Sequence, residues 1–192
     1  RDMNHPSHPT TILAFVGLSG AGKSEAVNHV ARLGIPKVYA GGILYDEMRR
    51  RGIAITPQSQ AEFRKAWREE AGKDIIIRTA AEQMQRLAAA GQRHILFDGL
   101  YSWTEYKYLT HSPGELVVAA IVAPKQLRHR RLAQRPERPF TAQEAIARDW
   151  SEIEDIEKGG PIAIADHFIS NSHDLAELHQ QVDALCREIG WV

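Results

Sequence analysis

At 192 residues, with 43% hydrophobic and 25% charged residues, the chain has the length and composition of one ordinary globular domain with a continuous core. The formal net charge is zero, so no global field favours nucleic acid or an anionic membrane, and any attraction for phosphate has to come from local basic clusters. A single cysteine, Cys186, excludes an internal disulfide and a cysteine-based zinc site and suits a reducing cytoplasm.

The N-terminal RDMNHPSHPT is polar, with no apolar core resembling a secretory signal. An apolar run over residues 12–16 then reads as a strand and leads directly into GLSGAGKS at residues 17–24. This matches GxxxxGK(S/T), the phosphate-binding P-loop, in the strand and helix context the motif requires. Gly17, Gly20 and Gly22 let successive backbone N–H groups converge on phosphate oxygens where a Cβ would obstruct approach. Lys23 can set an ammonium against the terminal phosphates, Ser24 can offer a hydroxyl to Mg²⁺, and the following helix adds its positive end. Ala21 and Glu25, within and just after the motif, are counted with the nucleotide contacts. A nucleoside triphosphate is the expected ligand.

The first helix reads over 23–33, closed by Gly34, and a short second strand over 37–40 leads into Gly41 and Gly42. The segment that follows ends in Arg49, Arg50 and Arg51. Thr56 before Pro57 marks an N-cap, and two helical stretches run over 57–70 and 73–90. A third strand over 94–97 ends at Asp98 and Gly99, and Ser102 with Glu105 forms a capping box that opens another helix. Residues 115–123 have the continuous apolar character of a strand covered on both faces; the longest apolar stretch, 116–124, is far short of the roughly 20 residues that span a bilayer.

A basic helix follows over 125–133, then a Pro- and Arg-rich loop, and Thr141 with Glu144 opens a helix over 142–157. The last strand lies over 166–170, and the terminal helix carries Leu175, Leu178, Val182, Leu185 and Ile189 on one face. Five strands alternating with helices predict an α/β fold: a parallel sheet with helices on both faces and the ligand at the carboxyl ends of the strands.

Asp98 stands on that edge. A carboxylate there can hold Mg²⁺, act on an acceptor hydroxyl, or simply cap the next turn. Arg128, Arg131, Arg135 and Arg138 recur through 125–139, as a lid that brings cations to the transferring phosphoryl or as a solvated basic face. Arg148 can complete the lid or pair with Glu144 four residues earlier. The nine histidines form no HExxH or comparable ligand pair.

Taken together, GLSGAGKS, AGGILYDEMRRRG, the strand end FDG, LRHRRLAQR, the ARD at 147–149 and ADHFISN at 165–171 resemble the P-loop nucleotide kinases. The similarity is to the dephospho-CoA kinase and adenylate kinase group and covers almost the whole chain. It implies a single three-layer domain over 1–192, with an acceptor-side helical region over 41–90 and a lid over 125–150. It further implies ATP and Mg²⁺ as cofactors and a small-molecule phosphoryl acceptor. The matched positions are Gly20, Gly22, Lys23 and Ser24 for phosphate and metal, Arg128, Arg131 and Arg135 for the lid, and Asn171 beside adenine.

The acceptor side departs from that pattern. Where relatives read Gly-Asp and then an arginine, this chain has Gly41, Gly42 and then Tyr45, and where they carry an arginine after the strand-end Asp-Gly it has Tyr101. Tyrosine keeps a ring and one hydroxyl but loses the charge and the bidentate fork. Gly42, Tyr45, Tyr101 and Arg148 are the residues expected to face the acceptor, with Arg49, Arg50 and Arg51 either supplying replacement cations or favouring a helix dipole. The expected activity is phosphoryl transfer from ATP to a nucleotide-like small molecule; the alternatives are a nucleotide-binding regulatory module and a slow ATPase.

Overall fold

A computed structural model describes residues 9–192; residues 1–8, most of the segment read above for a secretory signal, lie outside it. The elements run β1 (Thr11–Val16), α1 (Lys23–Ala31), β2 (Lys37–Tyr39), α2 (Ala40–Arg50), α3 (Pro57–Ala71), α4 (Ile75–Ala89), β3 (His94–Asp98), α5 (Trp103–Thr110), β4 (Glu115–Val122), α6 (Lys125–Ala133), α7 (Ala142–Glu154), α8 (Gly159–Ala163), β5 (His167–Ser170) and α9 (Leu175–Glu188). The strands pair in the order β2-β3-β1-β4-β5, every pair parallel.

Strand geometry divides the core between the two faces of this sheet, because successive side chains point to opposite sides. Ile12, Ala14 and Val16 of β1 face Leu44 and Met48 of α2, Phe63 and Trp67 of α3, and Ile77 and Met84 of α4. Leu13 and Phe15 face Val27 and Val30 of α1 and Leu178, Val182 and Leu185 of α9. β1 and β4 are buried along most of their length, which explains their unbroken apolar runs.

All three N-caps read from the sequence are reciprocal capping boxes: Thr56 with Ser59, Ser102 with Glu105, and Thr141 with Glu144. Two places differ from expectation: Ala40, read as the end of the second strand, opens α2, which takes in the unassigned segment after Gly41, and the helix after Thr141 is shorter than read. The helix expected over 142–157 stops at Glu154, Glu157 takes a left-handed φ of 59°, and α8 follows as a separate turn. The break bends the chain back, with the Ile156 N–H on the Ser151 carbonyl and the Lys158 N–H on the Glu152 carbonyl.

Candidate active site

β1 lies at the centre of the sheet, so the loop that leaves its carboxyl end, Gly17 to Ser24, sits between the ends of β3 and β4. Gly20 and Gly22 have φ of 83° and 105°, conformations that L side chains rarely adopt. A methyl group at Gly20 would fall 2.7 Å from the Arg128 carbonyl oxygen, and one at Gly22 would collide with the Asn171 amide. Gly20→Ala therefore combines a left-handed alanine, a penalty of about 1–2 kcal/mol, with a backbone clash. The expected result is a lower Tm and loss of nucleotide binding, read by thermal melt and by titration with a fluorescent ATP analogue.

The loop is gripped from behind by its carbonyls. Arg128 Nη1 donates to Ser19 O at 3.1 Å, Arg131 Nη1 to Gly20 O at 3.1 Å, and Asn171 Nδ2 to Ala21 O at 2.8 Å. Arg131 also donates to the Asn171 carbonyl at 2.5 Å, closing the bracket. With these carbonyls engaged, two of the loop's N–H groups also have partners, Ser19 N–H on Glu152 Oε1 at 2.9 Å and Ala21 N–H on the Leu18 carbonyl at 3.0 Å, and successive N–H groups in such a loop are the kind that bind an anion. The first N–H groups of α1, at the end of the same loop, have no intrahelical acceptor.

Arg128 and Arg131 thus stand differently from a lid. Arg128 is buried and its guanidinium makes a two-pronged bridge to Asp149 at 2.6 and 2.9 Å, with His129 adding a third bond to that carboxylate at 2.8 Å. Desolvation lowers the Arg131 guanidinium from its ordinary range. Arg135 lies beyond the end of α6, exposed, with its guanidinium 5.5 Å from the Phe140 ring centre. Arg148, open between a lid role and a pair with Glu144, pairs instead with Glu152 at 3.5 Å, one turn on.

Lys23, the first residue of α1, reaches Asp98 at the end of β3, Nζ to Oδ1 3.2 Å, and lies 4.7 Å from the Tyr101 ring centre. Both charged groups remain partly open to solvent. Ser24 and Glu25 follow in the first turn of the same helix. Burial pushes the Tyr101 phenol up to about 12, with the Asp98 and Glu105 charges adding to it, so the ring carries a neutral hydroxyl at ordinary pH.

On the acceptor side Tyr45 packs edge-on against Tyr39, rings 6.5 Å apart, and its hydroxyl reaches Gln60 Oε1 at 3.4 Å. Gly42 sits under the Tyr39 ring, where a side chain would press on it. Arg49, Arg50 and Arg51 spend their charge locally on Asp46, Glu47 and Glu70. Glu47 is held down to about 2 by hydrogen bonds from Arg50 and Arg51.

Three features escaped the sequence reading. Arg64 and Arg68 of α3, with Lys65 and Lys73, line a groove of about 540 Å³. Tyr39 joins the tyrosine cluster. The third is a buried pair, Glu152 with Lys158, whose partners lie six residues apart across the break after α7. Among the described residues no cluster of three or more histidine, cysteine or acidic side chains could enclose a metal by itself, and no helix is long and apolar enough to cross a membrane.

A family model described as an AAA domain matches residues 16–148, from the end of β1 to the middle of α7. The chain belongs to this AAA domain family. A UPF0200 protein of Thermococcus kodakarensis is 30% identical over 182 residues, 93% of this chain and 97% of that one. The AAA domain fold is also similar to TT1252 from Thermus thermophilus, with a TM-score of 0.64 at 18% identity, covering 95% of this chain and 98% of that one. A dephospho-CoA kinase from Campylobacter jejuni gives a TM-score of 0.55 at 21% identity, covering 93% and 97%. The architecture is therefore that of the P-loop kinases.

Proposed function

We propose that this protein is an ATP- and Mg²⁺-dependent kinase that phosphorylates a small, anionic, nucleotide-like acceptor. The observation that carries the reading is the Lys23 to Asp98 pair, 3.2 Å apart, at the mouth of a loop whose carbonyls are tied away from it. An ammonium for the phosphoryl group and a carboxylate for metal or acceptor are the parts that phosphoryl transfer needs at one point.

Ser24 and Asp98 offer a hydroxyl and a carboxylate, all-oxygen donors suited to a hard divalent cation. Mg²⁺ bound there would neutralise charge on the terminal phosphates. Lys23 orients and stabilises those phosphates, and Gly17, Gly20, Ala21, Gly22 and Glu25 line or flank their cradle. Arg128, Arg131 and Asn171 hold the loop in shape, while Arg135 and Arg148 keep solvent-facing guanidinium groups that can close over the triphosphate.

For the acceptor, Tyr45 and Tyr101 supply ring surface and hydroxyls, Gly42 lets the Tyr39 ring lie close over it, and Arg64, whose charge acts on Tyr101, would with Arg68 supply the cations that the matched positions lack. Such a groove favours an acceptor that carries phosphate or carboxylate. The test is an ATP-consumption screen across nucleoside monophosphates, dephospho-CoA and sugars. Turnover stimulated by a phosphorylated acceptor and reduced at least about tenfold in Arg64→Ala/Arg68→Ala supports the reading. ATP binding without turnover on any acceptor points instead to a regulatory module.

A further inference from the structure

Glu152 is fully buried, yet each of its oxygens has an assigned partner. Oε1 accepts the Ser19 N–H of the phosphate loop at 2.9 Å and lies 3.5 Å from Arg148 Nε, while Oε2 bonds Lys158 Nζ. A carboxylate so enclosed is costly unless its partners are fixed, and here they include the loop's own backbone.

Lys158 is buried as well, at 8% exposure, and its ammonium lies 5.3 Å from the centre of the Tyr101 ring. Lys23 lies 4.7 Å from the same ring. Two ammonium groups therefore share one aromatic ring at the end of the phosphate loop. The charges around this ring and the pair behind it are Lys23, Lys158, Arg64 and Arg148 against Asp98, Glu105 and Glu152, so one cation is in excess for an anionic ligand to complete when Lys158 is protonated.

The backbone fixes this arrangement. Glu157 adopts its left-handed φ of 59°, and its carbonyl accepts the Trp103 N–H at 3.2 Å, tying the turn to the start of α5. A non-glycine residue persists in that conformation only where its surroundings over-determine it. Gly160 packs so closely on the Trp103 indole that a methyl group would lie 2.5 Å from it. Lys158 is thus preorganised, unlike the exposed Arg135. Burial pushes its ammonium down to about 7, reinforced by the Lys23 and Arg148 charges, while the Glu152 contact works the other way.

We propose that Lys158 is a second ammonium for the terminal phosphate of the bound triphosphate, with Glu152 as the positioning residue that holds it against the loop. The proposal deepens the kinase reading by taking a triphosphate as the ligand. It does not need an acceptor.

The test compares ATP with ADP on the full chain by calorimetry. Lys158→Met is expected to weaken ATP about tenfold, the loss of one charge-assisted contact, while ADP affinity stays within about twofold. Lys158→Arg should recover most of the difference. Glu152→Gln keeps an amide oxygen for the Ser19 N–H and should narrow the same ATP-over-ADP preference, an effect that loss of fold would not produce. The double variant Glu152→Gln/Lys158→Met removes both buried charges and should still bind ADP. Equal losses for ATP and ADP in Lys158→Met, or no loss for either, overturn the proposal even if acceptor-stimulated turnover is found. Conversely, an ATP-selective loss upholds it even if the acceptor screen yields no kinase.

Discussion

Lys23→Ala is expected to lower acceptor-stimulated ATP turnover by at least about 10²-fold, the scale on which a preorganised charge at a transition state acts. The ammonium is held by Asp98 at 3.2 Å and by the face of Tyr101 at 4.7 Å. It therefore needs little reorganisation when charge develops on the phosphoryl oxygens. Alanine removes this cation and leaves the Asp98 carboxylate unopposed where a polyanion has to bind, so ATP affinity falls as well. Lys23→Arg should rescue poorly, since the planar fork replaces a compact point charge held between a carboxylate and a ring. Because the Lys23 side chain is partly solvent-exposed, the melting temperature should stay near that of the parent. Turnover within about threefold of the parent would remove Lys23 from the mechanism.

What could be read from the chain was what local chemistry specifies. The P-loop declares itself because strand, glycines and helix start are contiguous, and the capping boxes at Thr56, Ser102 and Thr141 are decided within three residues. The basic helix, at Lys125–Ala133, has the bounds its pattern implied. The destinations of its arginines were not legible. A basic run has the same spacing whether it faces water or the back of a loop, and Arg128 finds Asp149 only because α7 returns across α6. Glu152 and Lys158 were hidden for a related reason: their meeting needs a left-handed Glu157, which nothing in the periodicity announces. α8 is too short for a period and contains Gly159, Gly160 and Pro161, residues that read as loop.

Asp149→Ala carries the largest expected effect on stability. Arg128 is buried with its side chain 6% exposed, and Asp149 supplies both oxygens to its guanidinium, at 2.6 and 2.9 Å, while accepting from His129 at 2.8 Å. Removing the carboxylate strands a cation that cannot be neutralised, and breaking a buried pair in this way costs about 3–5 kcal/mol. For a domain of this size that corresponds to a fall in Tm of roughly 10 °C. Burial pushes the Asp149 carboxyl up, but the hydrogen bonds from Arg128 and His129 more than offset it, leaving it below its ordinary value. Since the folded value lies below the unfolded one, the pair's stabilisation is complete above the ordinary carboxylate range, about pH 4, and is lost as pH falls through the folded value. The gap in stability between parent and variant should therefore narrow in acid; a gap that is constant from neutral to strongly acidic pH would mean that the carboxylate's charge is not what stabilises the pair. Arg128 also holds the Ser19 carbonyl at 3.1 Å, so the same pair shapes the phosphate loop. Replacing both partners by apolar residues, Arg128→Met/Asp149→Leu, should recover much of the Tm, because an apolar substitute for a buried ion pair is often neutral or stabilising. It should not recover ATP affinity, because the loop carbonyl has lost its donor. A double variant that regains Tm and nucleotide binding together would reduce the pair to a packing element with no part in shaping the loop.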